Sequence, residues 1–260
     1  RNNCAGFECD IQPDQLATIM FTSGTTGKSK TIRLSSYAFN SLAFKLYLLD
    51  TPHDYKTAHA LCALPCFHAY GLAGSAHYGI CNAYKPFLIP KFDPRQANEI
   101  VRKYNVIEFL GVPKMFQKML QEDNFENEGT KNLSMLFAGG DIVSKAFVDE
   151  FDSVMEKHGA PGKLCRGYGL TEVSSVCSVN TYENCREDSI GKPLGDITVE
   201  IWDENGKKLK LYRFTPVLTA ILGFVTMLIM PAQTANKQAG GLTPELLAMR
   251  FAGCTRMLLE

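Results

Sequence analysis

The sequence predicts an α/β fold of mostly parallel sheets flanked by helices. Two observations carry that expectation. Short apolar runs of strand length alternate with amphipathic stretches of helix length. Glycine-rich and hydroxyl-rich turns fall where the apolar runs end, which is where open α/β sheets place their ligands.

The elements follow in order. Residues 1 to 15 are polar and turn-rich, and Leu16 to Phe21 is an apolar run of strand length. After a Gly/Ser/Thr loop, Thr31 to Leu34 alternates like a strand, and Ser35 or Ser36 can cap a helix reaching about Leu48. A second apolar run, Ala58 to Pro65, ends in the loop Cys66 to Gly71, and a Gly/Ala-rich helix is expected next. Strands are expected at Ala83 to Ile89, Val106 to Leu110 and Leu133 to Ala138. Helices are expected at Pro94 to Tyr104, Lys114 to Gln121 and Ser144 to His158, the last capped by Ser144. Leu164 to Arg166 leads into Gly167-Tyr168-Gly169. Thr198 to Leu209 reads as a hairpin around an Asn-Gly turn.

Composition narrows the function. Lys plus Arg and Asp plus Glu are both 27, so the formal charge is zero. That balance argues against broad binding to nucleic acid or anionic membrane, while leaving room for a local phosphate site. The nine cysteines are an odd count, and no secretory signal opens the given sequence, so free thiols of a cytoplasmic protein are expected. Cys4/Cys9 and Cys62/Cys66, even with His68 nearby, do not have the spacing of a zinc knuckle. His53, His59, His77 and His158 have no motif around them and read as structural.

The loop Thr22-Ser23-Gly24-Thr25-Thr26-Gly27-Lys28-Ser29-Lys30 carries the chemistry. Its glycines allow the backbone close to a ligand, its hydroxyls and N–H groups can surround phosphate oxygens, and its lysines can offset their charge. Gly27-Lys28-Ser29 imitates the end of a Walker A loop. That loop needs a glycine where Thr22 stands, and it should open into a helix, whereas Thr31 to Leu34 looks extended.

Thr-Ser-Gly-Thr-Thr-Gly-x-x-Lys resembles the phosphate loop of the adenylate-forming (AMP-binding) superfamily, with Ser29 where that family usually has proline. Leu64-Pro65-x-Phe67-His68-x-Tyr70-Gly71 resembles its acyl-pocket segment, Gly139-Gly140-Asp141 its adenine-side loop, and Gly167-Tyr168-Gly169-Leu170-Thr171-Glu172 its aromatic–Gly–x–Thr–Glu motif. Ser189 to Pro193 and the hairpin continue the likeness, which runs from Asp10 to Leu209. The closest resemblance is to fatty acyl-CoA synthetases, so the fold implied is part of their large N-terminal domain.

The resemblance implies ATP and Mg²⁺ as cofactors, CoA as co-substrate and a small carboxylate, a fatty acid, as partner. It gives Lys30 and the loop residues Ser23, Gly24, Thr25, Thr26 and Gly27 to the β- and γ-phosphates, and Thr22 and Glu172 to Mg²⁺. Thr171 is expected at the α-phosphate, Tyr168 on adenine between Gly167 and Gly169, and Gly139, Gly140 and Asp141 beside the nucleotide. His68 is expected to gate the acyl pocket, and Lys30, His68, Thr171 and Glu172 to act in catalysis. A peptide-synthetase adenylation domain and a non-catalytic nucleotide-binding remnant are the competing readings.

The family's later motifs, a Gly-Glu segment, a ribose-binding Thr-Gly-Asp and a C-terminal catalytic Lys, are not found after Leu209. Its N-terminal subdomain is not found before the phosphate loop. Residues 1–209 therefore read as an adenylation-core fragment of weak or absent activity, since losing one electrostatic donor of that kind costs about 3 to 4 kcal/mol. Residues 210–260 read as a tail with an uncharged run, Phe214 to Met230. At 17 residues it is at the lower limit for a membrane span; a buried helix and a foreign segment are the other readings.

Overall fold

The computed structural model describes residues 12–22, 30–49, 57–125, 128–181, 189–195, 197–202, 208–209, 226–231 and 249–250. A hairpin comes first: β1 (Leu16–Thr22) pairs antiparallel with β2 (Lys30–Ser35). Met20 and Leu34 are buried, whereas Ile19 and Phe21 on the opposite face of β1 are exposed. Ser35 then ends the strand and caps α1 (Ser36–Tyr47), its side chain accepting a hydrogen bond from the Ala38 N–H at 3.2 Å.

A seven-stranded sheet follows. Its members are β3 (His59–Cys62), β4 (Lys85–Leu88), β5 (Val106–Gly111), β6 (Met135–Ala138), β7 (Leu164–Leu170), β8 (Ser175–Asn180) and β9 (Lys192–Pro193), in spatial order β4-β3-β5-β6-β7-β8-β9. From β4 to β7 the neighbours are parallel; β7-β8 and β8-β9 are antiparallel. The interior strand β5 is buried at all six positions, as expected of a parallel strand covered on both faces.

Helices cover both faces. On one side, α3 (Pro94–Lys103), α4 (Pro113–Gln121) and α5 (Lys145–Lys157) pack Val101, Phe116, Phe151 and Met155 against Phe109, Leu136 and Leu164. On the other, α1 brings Phe39, Leu42 and Leu46 to Ala60, Ile107 and Met135, together with a π-helix (Tyr70–His77) that continues as α2 (Tyr78–Cys81). Asp93 and Ser144 cap α3 and α5 by accepting from the Gln96 and Phe147 N–H groups at 2.7 and 3.3 Å.

The structure departs from the sequence reading in three places. Gly167-Tyr168-Gly169 is not a turn after a strand: it lies inside β7, paired with β8. The Gly/Ala-rich helix starts with π geometry rather than α. The apolar run after residue 214 is not a helix at its end, because Thr226–Pro231 forms β12, pairing antiparallel along all of β10 (Ile197–Trp202). The expected hairpin does form, with β11 (Lys208–Leu209) beside β10. β13 (Met249–Arg250) closes this four-stranded sheet. Among the described residues no helix is long and apolar enough to cross a membrane.

Candidate active site

The parallel strands all end on one side, and each hands the chain to a loop that meets the others there. β3 delivers Ala63 to Pro65 and His68, β4 delivers Pro90 to Phe92, β5 delivers Val112 and Met115, and β6 delivers Gly139 and Gly140. Together with Gly167 to Thr171 they line a cavity of about 660 Å³. It opens beyond the carboxyl ends of the sheet, where side chains and backbone from different strands can converge without breaking strand hydrogen bonds.

Three of the four sequence motifs therefore share one cavity. His68 is exposed and lines its wall, its ring 4.7 Å from that of Phe67. Tyr70, from the same segment, lines it too and donates its hydroxyl to the Phe137 carbonyl at 2.9 Å. Burial, with the Glu108 charge adding to it, pushes the Tyr70 phenol well above its ordinary range, so it stays a donor.

Gly139 and Gly140 meet the cavity through backbone. Gly140 sits at φ +76°, which a side chain would strain, and a Cβ on Gly139 would approach the Gly167 carbonyl oxygen to 2.9 Å. Asp141 is exposed just beyond the cavity wall, its carboxylate accepting from the Ile142 N–H at 2.7 Å.

Tyr168 and Thr171 line the cavity, and Glu172 follows on a 3₁₀ turn, Thr171–Val173. That turn is held in an uncommon conformation. Ser174 is left-handed at φ 68°, Ser175 has φ 135°, and the buried Ser174 hydroxyl has no hydrogen-bond partner among the described residues. Strain of that sort persists only where the surroundings enforce it, and it concentrates at functional sites.

The fourth motif enters through the hairpin. Thr22 and Lys30 are direct cross-strand partners, closing the ladder from which the loop 23–29 springs. Ser23, Gly24, Thr25, Thr26 and Gly27 lie outside the described residues. The strand that leaves the loop, β2, runs beside the Thr171–Val173 turn. An immediate strand after the loop also rules out a Walker A arrangement, which opens into a helix. A hydroxyl and a carboxylate are hard oxygen donors of the type Mg²⁺ takes when phosphates supply the rest, so Thr22 and Glu172 fit that ion in kind.

Sequence reasoning missed the far wall: Pro90, Lys91, Phe92, Val112 and Met115. Each follows the carboxyl end of a parallel strand, a signal present in the strand pattern but carried by no motif. Lys91 is exposed on this wall and makes no ion pair among the described residues.

Known proteins resemble the chain in sequence and in fold. The chain is 28% identical over 203 residues to a long-chain-fatty-acid–CoA ligase of Bacillus subtilis, covering 76% of this chain and 35% of that protein. It is 30% identical over 199 residues to a probable 4-coumarate–CoA ligase 3 of Dictyostelium discoideum, covering 74% and 35%. The chain thus spans about a third of the length of these curated relatives. Among solved structures, apo MatB from Rhodopseudomonas palustris superposes with a TM-score of 0.70 at 21% identity, covering 88% of this chain and 42% of that one. The O-succinylbenzoate coenzyme A synthetase MenE from Bacillus subtilis, solved with ATP and magnesium ion, gives 0.69 at 21% identity, covering 89% and 46%. The AMP-binding enzyme profile matches residues 5–211, and with the strand-end cavity that gathers its motifs, the chain belongs to the AMP-binding enzyme family.

Proposed function

We propose that this chain binds ATP and a carboxylic acid in the strand-end cavity and serves an ATP-dependent acid–CoA ligase, with a fatty acid as the acid. The observation that carries the reading is the convergence of His68, Gly139, Gly140, Tyr168 and Thr171 on one cavity.

The chemistry would run in two steps. The acid oxygen attacks the α-phosphorus of ATP, forming a mixed anhydride with AMP and expelling pyrophosphate. A thiol of CoA then attacks the acyl carbon and releases AMP. What the protein must supply is in-line placement and charge stabilisation on the leaving group. Lys30 and the loop donors would hold the β- and γ-phosphates, Thr171 the α-phosphate, and Tyr168 the adenine face. His68 and Tyr70 would bound the acyl side, where the Leu64, Phe92, Val112 and Met115 side chains offer apolar surface. Bound Mg²⁺ would neutralise phosphate charge, with Thr22 and Glu172 as its protein donors.

The test is ATP–pyrophosphate exchange by the purified chain with Mg²⁺ and a panel of fatty, aromatic and amino acids, alongside ATP binding by calorimetry. Exchange driven by fatty acids supports the full reading. Exchange driven by another class keeps the adenylation and replaces the acid. ATP binding without exchange for any acid assigns this chain a nucleotide site without turnover of its own, and no ATP binding removes the proposal.

A further inference from the structure

We infer that Lys91, with His68 on the neighbouring strand end, forms an anion-recognising pole of the strand-end cavity and selects acids that carry a second carboxylate at the far end of an apolar chain. Among the described residues that line the cavity, Lys91 is the only Lys, Arg, Asp or Glu. It is exposed and makes no ion pair among the described residues. The nearest carboxylate in sequence, Asp93, accepts from the Gln96 N–H at 2.7 Å as the cap of α3. The cavity therefore presents a cation with no anion of its own wall beside it.

The order of the strands sets where this pole stands. Lys91 follows β4 and His68 follows β3, neighbours at one edge of the parallel sheet, whereas Thr171 follows β7. β4 and β7 are four places apart in the sheet, and at about 4.8 Å per place that is roughly 19 Å. Gly139, Gly140 and the Gly167–Thr171 stretch occupy the β6–β7 end. Val112 and Met115 follow β5, between the two ends, and Leu64 and Phe92 add apolar surface beside the pole. The backbone on which Lys91 rides is held at both sides. The Ile89 N–H donates to the Cys62 carbonyl at 3.0 Å, tying the exit of β4 to that of β3, Pro90 restricts the chain, and α3 starts just after Asp93.

An acid activated at the Thr171 end and lying along the apolar surface brings its other end to Lys91. A methyl end there would strip water from an ammonium and give it no partner, which is unfavourable, whereas a carboxylate meets it as a charge pair. The substrate class is therefore a long-chain dicarboxylic acid, activated at one end and held at the other. The pole rests on the proposed occupation of this cavity by a carboxylic acid, and not on turnover by this chain alone.

The probes are dodecanedioic acid, its monomethyl ester and dodecanoic acid, each titrated by calorimetry into the full chain with and without Mg²⁺ and ATP. The monoester keeps the length of the diacid and removes one charge. The diacid is expected to bind about three- to fivefold more tightly than either, the modest gain of a charge pair that water still reaches. Lys91→Met, which keeps an unbranched apolar stem, should bind all three alike, and Lys91→Arg should retain the preference. No binding of the diacid, equal binding of diacid and monoester, or a preference that survives Lys91→Met would overturn the pole. A Lys91→Met defect confined to CoA binding would overturn it too, by assigning the lysine to the phosphates of CoA. ATP binding without discrimination among the acids removes the pole and leaves the nucleotide reading standing, whereas discrimination by Lys91 without ATP binding does the reverse.

Discussion

The Tyr70 hydroxyl donates to the backbone carbonyl of Phe137, bolting the first residue of the π-helix to the strand that delivers Gly139. The ring itself packs against both hydrophobic clusters, one on each side of the sheet. One side chain therefore joins the two cores and forms part of the cavity wall.

Replacing Tyr70 by Phe should remove only the hydrogen bond and cost about 1 kcal/mol. Replacing it by Ala removes the shared packing and should cost about 3 kcal/mol or more. Urea unfolding measures both. Equal costs for the two variants would show that the ring contributes nothing beyond its hydroxyl.

The aromatic motif contains two glycines with different needs. A Cβ on Gly169 would lie 1.7 Å from the Ser175 carbonyl oxygen, so the β7-β8 pairing has no room for one. On Gly167 the nearest contact would be a Val176 methyl carbon at 3.9 Å. Gly169→Ala is expected to lower stability by several kcal/mol or abolish folding, whereas Gly167→Ala should change stability by less than about 1 kcal/mol. Circular dichroism melts of the pair distinguish them, and a well-folded Gly169→Ala would contradict this geometry.

That contrast shows how far the sequence could be read. The alternation of apolar runs with caps at Ser35 and Ser144 foretold the strands and helices, because local hydrogen bonding and periodicity decide them. It did not foretell that Gly167 to Gly169 pair within a strand, because that pairing depends on β8, which returns antiparallel after the strained Ser174–Ser175 turn. Likewise the cavity residues with motifs, such as His68 and Thr171, were legible, while Lys91 and Met115 reach the site only through the order of the strands. The helical readings of the run ending at Met230 fail at Thr226–Pro231 for the same reason: an apolar run has no period of its own, and its partner β10 makes it a strand.

The thiols make a prediction about alkaline pH. Burial pushes Cys62 and Cys177 from an ordinary value of 9.0 up to about 12. An unfolded chain ionises these thiols from about pH 9, while the folded one keeps them protonated. Their contribution is therefore fully present below pH 9 and is lost as pH rises from 9 towards 12, by up to about 4 kcal/mol for each thiol. Stability should fall as pH rises from 9 towards 12, and Cys62→Val should flatten that fall. Cys66 and Cys81, both exposed, should react with a thiol reagent in the folded chain, and Cys62, Cys165 and Cys177 only on unfolding. Rapid labelling of Cys177 in the native protein would refute the assignment.

Lys30 and Glu172 should separate by their response to Mg²⁺. Glu172 is half-buried and makes no hydrogen bond or ion pair among the described residues, so Glu172→Ala should leave stability within about 0.5 kcal/mol. If its carboxylate is a metal donor, the variant should lose about tenfold or more in ATP affinity with Mg²⁺ present and little without it. Lys30 stands opposite Thr22 at the loop closure; if it serves as a charge on phosphate, Lys30→Ala should weaken ATP binding with or without the ion. Calorimetric titrations at matched ionic strength, with Mg²⁺ and with a chelator, give the four comparisons. A Glu172→Ala defect of equal size in both conditions would move Glu172 from the metal to the nucleotide, and no defect at all would remove it from the site.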